Sequence, residues 1–169
     1  PRHSPHPPGY PVYVAPGRAV NRLPGDPVRS LQLVSVLGGL MTRLGTALAM
    51  RRLGAWRTAT GCAGLLLVCT PALAFHANVG MSDALATGLA CLALWATAAT
   101  LGGSSRPHWL VAAAGLTALA VGTRPQVGAA LVGPGIWLLA HVVRRRRWWQ
   151  LAAATVVFTA TSAACWVPV

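Results

Sequence analysis

Apolar runs about as long as a bilayer is thick, most of them ending at arginine or at a turn, constrain this chain more than any other feature. A helix needs about 20 consecutive apolar residues to cross a hydrocarbon core of ~30 Å. Residues 31–50 form such a run and stop at Arg51-Arg52. Residues 58–78 form a second, interrupted by Pro71, and residues 84–101 a third, closed by the turn-forming stretch 102–108. The apolar stretch 109–143 is too long for one crossing. It is punctuated at Gly122-Thr123-Arg124-Pro125-Gln126, where a proline and an arginine favour two spans meeting at a turn. After Arg144-Arg145-Arg146-Arg147 a last run, 148–169, opens on Trp148 and Trp149, indoles suited to the headgroup layer. The pattern predicts an all-α, polytopic integral membrane helix bundle of about six transmembrane helices.

Charge agrees with that class. Charged residues are 9% of the chain, against about 25% in a soluble domain. Lysine is absent, the only acids are Asp26 and Asp83, and the net charge of +12 rests on arginine. An arginine excess can mark a nucleic-acid binder. Here most arginines stand at the ends of apolar runs, where they mark membrane boundaries and meet lipid phosphates, so the expected partners are membrane lipids and no nucleic acid. Cys62, Cys69, Cys91 and Cys165 all fall inside apolar runs without metal-ligand spacing and read as small, buried, reduced hydrophobes. The chain opens on Pro1 and closes inside an apolar run, with no signal peptide at its start. It reads as a fragment truncated at both ends, with residues 1–30 an extracytoplasmic loop carrying an interfacial segment and residues 31–169 the transmembrane bundle.

Threading the runs alternately puts Arg51, Arg52, Arg57, Arg106 and Arg144 to Arg147 on one side, which the positive-inside rule makes cytoplasmic. The other side then holds the amino-terminal segment, the step Ser82-Asp83 and the turn Thr123-Arg124-Pro125. Arg2, Arg18, Arg22 and Arg29 count against this orientation; the short loops carry more topological weight. The proline-rich segment 1–27 is not expected to form a continuous helix. Tyr10, Val12, Tyr13, Val14, Val20 and Leu23 give it apolar surface to lie in the interface, and Pro24-Gly25-Asp26-Pro27 reads as the turn into the first span.

Three residues are candidates for chemistry. In His6-Pro7-Pro8-Gly9-Tyr10-Pro11, prolines hold an extended backbone, glycine admits close approach, and His6 can donate to a phosphate or sugar oxygen. A proline-rich linker explains the same residues equally well. Asp83 starts a helix at a membrane boundary, where Ser82 or Asp83 would ordinarily cap free N–H groups. Its scarcity argues for a further role. Arg124 either holds an anionic phosphate through charge-assisted hydrogen bonds or reaches toward lipid headgroups. His76 fits the interface better than a site. Arg43 falls inside a span with no partner assignable from sequence, and Gly38-Gly39 with the many alanines permits close helix packing.

Taken in order, His6 to Tyr13, the Arg29-Ser30-Leu31 entry to a glycine-bearing span, Ser82-Asp83-Ala84-Leu85 opening a helix, and Gly122-Thr123-Arg124-Pro125 after a later one resemble the polyprenol-phosphate-sugar-dependent glycosyltransferases of the GT-C type. The likeness is to the branch containing the protein O-mannosyltransferases of glycosyltransferase family 39, the aminoarabinose transferases and bacterial proteins with a His-Pro-Pro-Gly-Tyr-Pro first loop. It implies a multi-pass enzyme, expected in a bacterial plasma membrane, that moves a sugar from a polyprenyl-phosphate carrier to an acceptor on the non-cytoplasmic side. It also implies that His6, Tyr10, Asp83 and Arg124 line the donor pocket. The acid that activates the acceptor would lie upstream of Pro1, and a divalent metal ion is the one cofactor the resemblance leaves open. The competing expectation is a transporter or flippase-like protein whose polar residues line a passage.

Overall fold

A computed structural model of the chain describes residues 11–22, 25–72, 75, 80–102 and 106–166. The described elements are all helical: α1 (Pro11–Asn21), α2 (Pro27–Arg52), α3 (Arg57–Val68), α4 (Ser82–Leu101), α5 (His108–Thr123), α6 (Val127–Arg144) and α7 (Trp148–Cys165). The result is an all-α membrane helix bundle. α2, α4 and α6 are long and apolar enough to cross a bilayer by length and composition, whereas α3 and α5 are shorter apolar helices. Six full-length crossings were expected. The second of them is not continuous, because α3 ends at Val68 and the chain turns at Cys69-Thr70 ahead of Pro71. Proline lacks the N–H that would continue the ladder and disfavours helical geometry in the residue before it.

What lies inside and outside the bundle is inverted relative to a water-soluble protein. On α2 the buried residues are Ser30, Val34, Ser35, Gly38, Gly39, Thr42 and Gly45, while Leu33, Val36, Leu37, Leu40 and Leu44 are exposed. Small and hydroxyl-bearing residues face the neighbouring helices and large apolar ones face outward, as expected where lipid is the solvent. The buried hydroxyls stay satisfied by bonding back to their own helix, as in Thr42 to Gly38 O (2.9 Å) and Thr100 to Ala96 O (3.0 Å).

α4 is the central element, packed chiefly on α2 and α5. It runs parallel to α2: a Cβ at Gly38 would meet the Ala84 backbone at 2.5 Å, and one seven residues on, at Gly45, would meet the Cys91 carbonyl carbon at 2.6 Å. Gly88 lies against the Gly38 carbonyl from the other side. The helices touch backbone to backbone, which no side chain at these glycines would allow. α5 and α7 are likewise parallel, with Gly115 against Val157 and Gly122 against Cys165. At the arginine end, Trp109 meets Trp95 edge-on at 4.8 Å between centroids while Arg52 stands over the Trp109 ring at 5.7 Å.

One further expectation changes, that of the cysteines. The amino-terminal segment forms no continuous helix over its described residues, but part of it, α1, is helical, with Pro11 at its first position, where no N–H is needed, and Pro16 inside. α1 packs on the bundle: Tyr13 and Gly17 are buried, with Gly17 against the Leu31 side chain. The cysteines are free, but only Cys165 is buried; Cys91 is half-buried, and Cys62 and Cys69 are exposed on or beside α3, a helix with no buried residue. Gly25-Asp26-Pro27 does lead into the first long helix. Asp26 caps it through Oδ1, which accepts from Val28 N at 2.9 Å, and Pro27 takes the first turn.

Candidate functional site at the start of α4

The site is built where two helix ends meet. α4 starts at Ser82, α5 ends at Thr123 with Arg124 as its C-cap, and α1 packs beside them on α2 and α5. Gly80, at a left-handed φ of 72°, turns the chain into α4. Local rules assign Ser82 or Asp83 to capping that helix, but the N-cap position belongs to Met81 and no side chain caps it. Both side chains turn instead to an arginine about forty residues along the chain. Arg124 Nη2 donates to Asp83 Oδ2 at 2.5 Å, and Arg124 Nε donates to Ser82 Oγ at 3.1 Å. The side chains of Arg124 and Asp83 are 28% and 35% exposed, so the pair is reachable from outside and still partly shielded from water. Arg124 is therefore not an unattached arginine reaching for headgroups. Asp83 keeps, in addition, the favourable field of a helix amino terminus.

Tyr13, the last residue of the His6–Tyr13 motif, and Ser35, not singled out from sequence, hold this end together. The Tyr13 hydroxyl reaches the Gly80 carbonyl, Leu31 O at 3.1 Å and Ser35 Oγ at 3.0 Å, and Ser35 Oγ donates to Met81 O at 3.0 Å. Two residues that precede Ser82 are thus tied to α1 and α2. Burial pushes the Tyr13 phenol above its ordinary range, opposed by the Ser35 hydrogen bond, so the hydroxyl stays protonated and able to donate at neutral pH. Their signal in the sequence was a serine on the glycine face of α2, legible only once the partner loop is known. Replacing Tyr13 with Phe is expected to lower stability by about 1–3 kcal/mol, since it takes the hydroxyl away from the part-buried Gly80 carbonyl and from the buried Ser35 Oγ; a thermal melt of the purified protein against wild type checks this.

α1 also carries the end of the proline-rich motif to the arginine turn. Val12 packs beside Gly122, and an apolar recess of ≈ 230 Å³ opens there between Pro11, Val12 and Ala15 of α1, Leu119 of α5, and Thr161, Ala164 and Cys165 of α7. Of the four residues expected to line the donor pocket, Asp83 and Arg124 are brought into direct contact; His6 and Tyr10 lie outside the described residues, as does His76. Among the described residues no group of three His, Cys, Asp or Glu could hold a metal ion. Arg43 stays apart from the site, and its Nε is buried without a hydrogen-bond partner among the described residues.

A family model described as dolichyl-phosphate-mannose-protein mannosyltransferase matches residues 5–169. No curated protein and no solved structure matches the chain.

Proposed function

Because the chain belongs to the dolichyl-phosphate-mannose-protein mannosyltransferase family, membrane glycosyltransferases of the GT-C type, we propose that it moves a sugar from a polyprenyl-phosphate carrier to an acceptor on the non-cytoplasmic side of a bacterial plasma membrane, as a multi-pass protein. The observation that carries this reading is the Arg124–Asp83–Ser82 cluster at the end of the bundle reached by the proline-rich motif. In this reading residues 1–30 lie on the non-cytoplasmic side and 31–169 form the transmembrane part.

The chemistry asks for little covalent work from the protein. The bond between the sugar's anomeric carbon and the phosphate oxygen breaks, a bond to the acceptor oxygen forms, and the acceptor's proton passes to a base. Negative charge develops on the departing polyprenyl phosphate. A guanidinium at the headgroup level stabilises that charge by charge-assisted, geometrically fixed hydrogen bonds. Arg124 takes this role, Asp83 and Ser82 hold its orientation, and His6 and Tyr10 complete the donor pocket from the preceding segment. The acceptor base is assigned to none of these residues.

Membranes containing the full-length protein, incubated with a donor radiolabelled in its sugar, test the proposal. Label recovered on an acceptor, with unlabelled polyprenyl phosphate left behind, is the expected result. Intact labelled donor crossing the bilayer with no transfer would favour the transporter reading, for which the half-buried Arg43, with its buried Nε, is the one supporting observation.

A further inference from the structure

The opposite end of the bundle carries a second, unrelated feature. α6 stands off from its neighbours, with only Leu131 and Val142 buried along its length. Between α5, α6 and α7 this leaves a slot of ≈ 410 Å³, open along one side and walled by Leu110, Ala114, Leu138, Val142, Leu151 and Phe158 among others. That volume lies within the range of sites that take small ligands. An adjoining recess of ≈ 160 Å³ shares Leu110, Ala114, Leu138 and Phe158 and extends the slot toward Leu131, halfway along the bundle. Gly135 lines both, and a Cβ built there meets nothing within 4 Å, so the space is real room and not a packing gap between touching side chains.

At its arginine end the slot is lined by Val142 and Leu151, which flank the junction of α6 with α7: Arg144, the last residue of α6, and the loop Arg145-Arg146-Arg147. Arg144, Arg145 and Arg146 are exposed. Arg146 has φ of 52°, a left-handed position where glycine or asparagine is the usual choice, so a cation is placed there against backbone preference. Neither acid in the chain is near: Asp26 caps α2 and Asp83 opens α4, both at the other end. An apolar slot with the exposed Arg145 and Arg146 beside one end matches one kind of molecule, a lipid with an anionic head and an acyl chain.

We propose that the slot between α5, α6 and α7 seats an anionic glycerophospholipid, one acyl chain lying along Leu110, Leu138, Val142 and Phe158 and the phosphate meeting Arg145 and Arg146. The inference does not depend on the transferase reading, since slot and arginines lie at the end of the bundle away from Asp83 and Arg124.

Native mass spectrometry of the full-length protein, loaded separately with phosphatidylglycerol and with phosphatidylcholine of identical acyl chains, tests it. Wild type is expected to retain phosphatidylglycerol preferentially. The R145Q/R146Q variant should lower that retention about 25-fold, roughly fivefold for each arginine near an anionic phosphate. Gly135→Leu should fill the slot and abolish retention, while Gly133→Leu, where a Cβ also meets nothing within 4 Å but which does not line the slot, should leave it unchanged. A melting temperature for each variant confirms that it is folded. Equal retention of the two lipids by wild type, or equal retention of phosphatidylglycerol by the two glycine variants, overturns the proposal. So does displacement of bound phosphatidylglycerol by an equal concentration of polyprenyl phosphate, which would hand the slot to the sugar carrier.

Discussion

Arg124→Ala in the full-length protein is expected to lower kcat/KM for the polyprenyl-phosphate sugar by about a hundredfold, the usual scale for removing one preorganised donor from a developing anion. The loss should not come from unfolding. An ion pair whose side chains are 28% and 35% exposed contributes at most about 1 kcal/mol once solvent screening is counted, so the melting temperature should fall only slightly. Arg124→Lys keeps the charge but not the planar fork that reaches Ser82 Oγ and Asp83 Oδ2 together, and should recover only part of the activity. Asp83→Asn separates two roles. If Asp83 only orients the guanidinium, the double variant should be no slower than Arg124→Ala alone, because there is no guanidinium left to orient. A double variant that is much slower than either single one would give Asp83 its own contact with the donor. Unchanged transfer by Arg124→Ala across donor concentrations would remove Arg124 from the site.

The route by which Arg124 meets Asp83 shows which parts of the molecule local sequence can announce. The turn between α5 and α6 was legible because Arg124-Pro125 stops a helix by chemistry confined to that dipeptide. The entry to α2 was legible for the same reason, since Asp26 caps and Pro27 starts the helix within two residues. Alternating the runs then placed Ser82-Asp83 and Arg124 at one end, as the structure has them. Capping was the better local explanation of Ser82 and Asp83. It failed because a partner from α5 offered both side chains stronger hydrogen bonds than their own backbone did. The prolines do keep residues 11–27 from being one continuous helix, and they say nothing of the short α1 among them; there burial of Tyr13 with its hydrogen bonds to α2 and the Gly80 turn offsets the ladder bond lost at Pro16. Arg43 stays unexplained by its own helix and by the described residues around it.

Gly38→Ala is expected to be among the most damaging single-methyl additions available to this chain. The new Cβ would lie 2.5 Å from the Ala84 carbonyl and from Leu85 N, and these are backbone atoms with no rotamer to yield. α2 and α4 must separate, and overpacking of this kind costs about 1–3 kcal/mol or more. Gly88→Ala should do the same from the facing helix. Gly61→Ala and Gly64→Ala on α3, where a Cβ meets nothing within 4 Å, are the matched controls; there alanine should be neutral or stabilising by up to about 1 kcal/mol through helix propensity. The Gly38 contact adjoins the site on both helices, since Ala84 follows Asp83 directly and Ser35, which holds Met81 O, lies one turn before Gly38. Separating the helices there pulls the α4 start away from its ties to α2 and α1, and with it the carboxylate that orients Arg124. Transfer activity measured below the melting temperature of Gly38→Ala should therefore fall by tenfold or more, whereas Gly61→Ala keeps wild-type activity. If Gly38→Ala melts with wild type, the backbone-to-backbone contact of α2 and α4 is wrong; if it melts early but transfers at full rate, that contact does not hold the site.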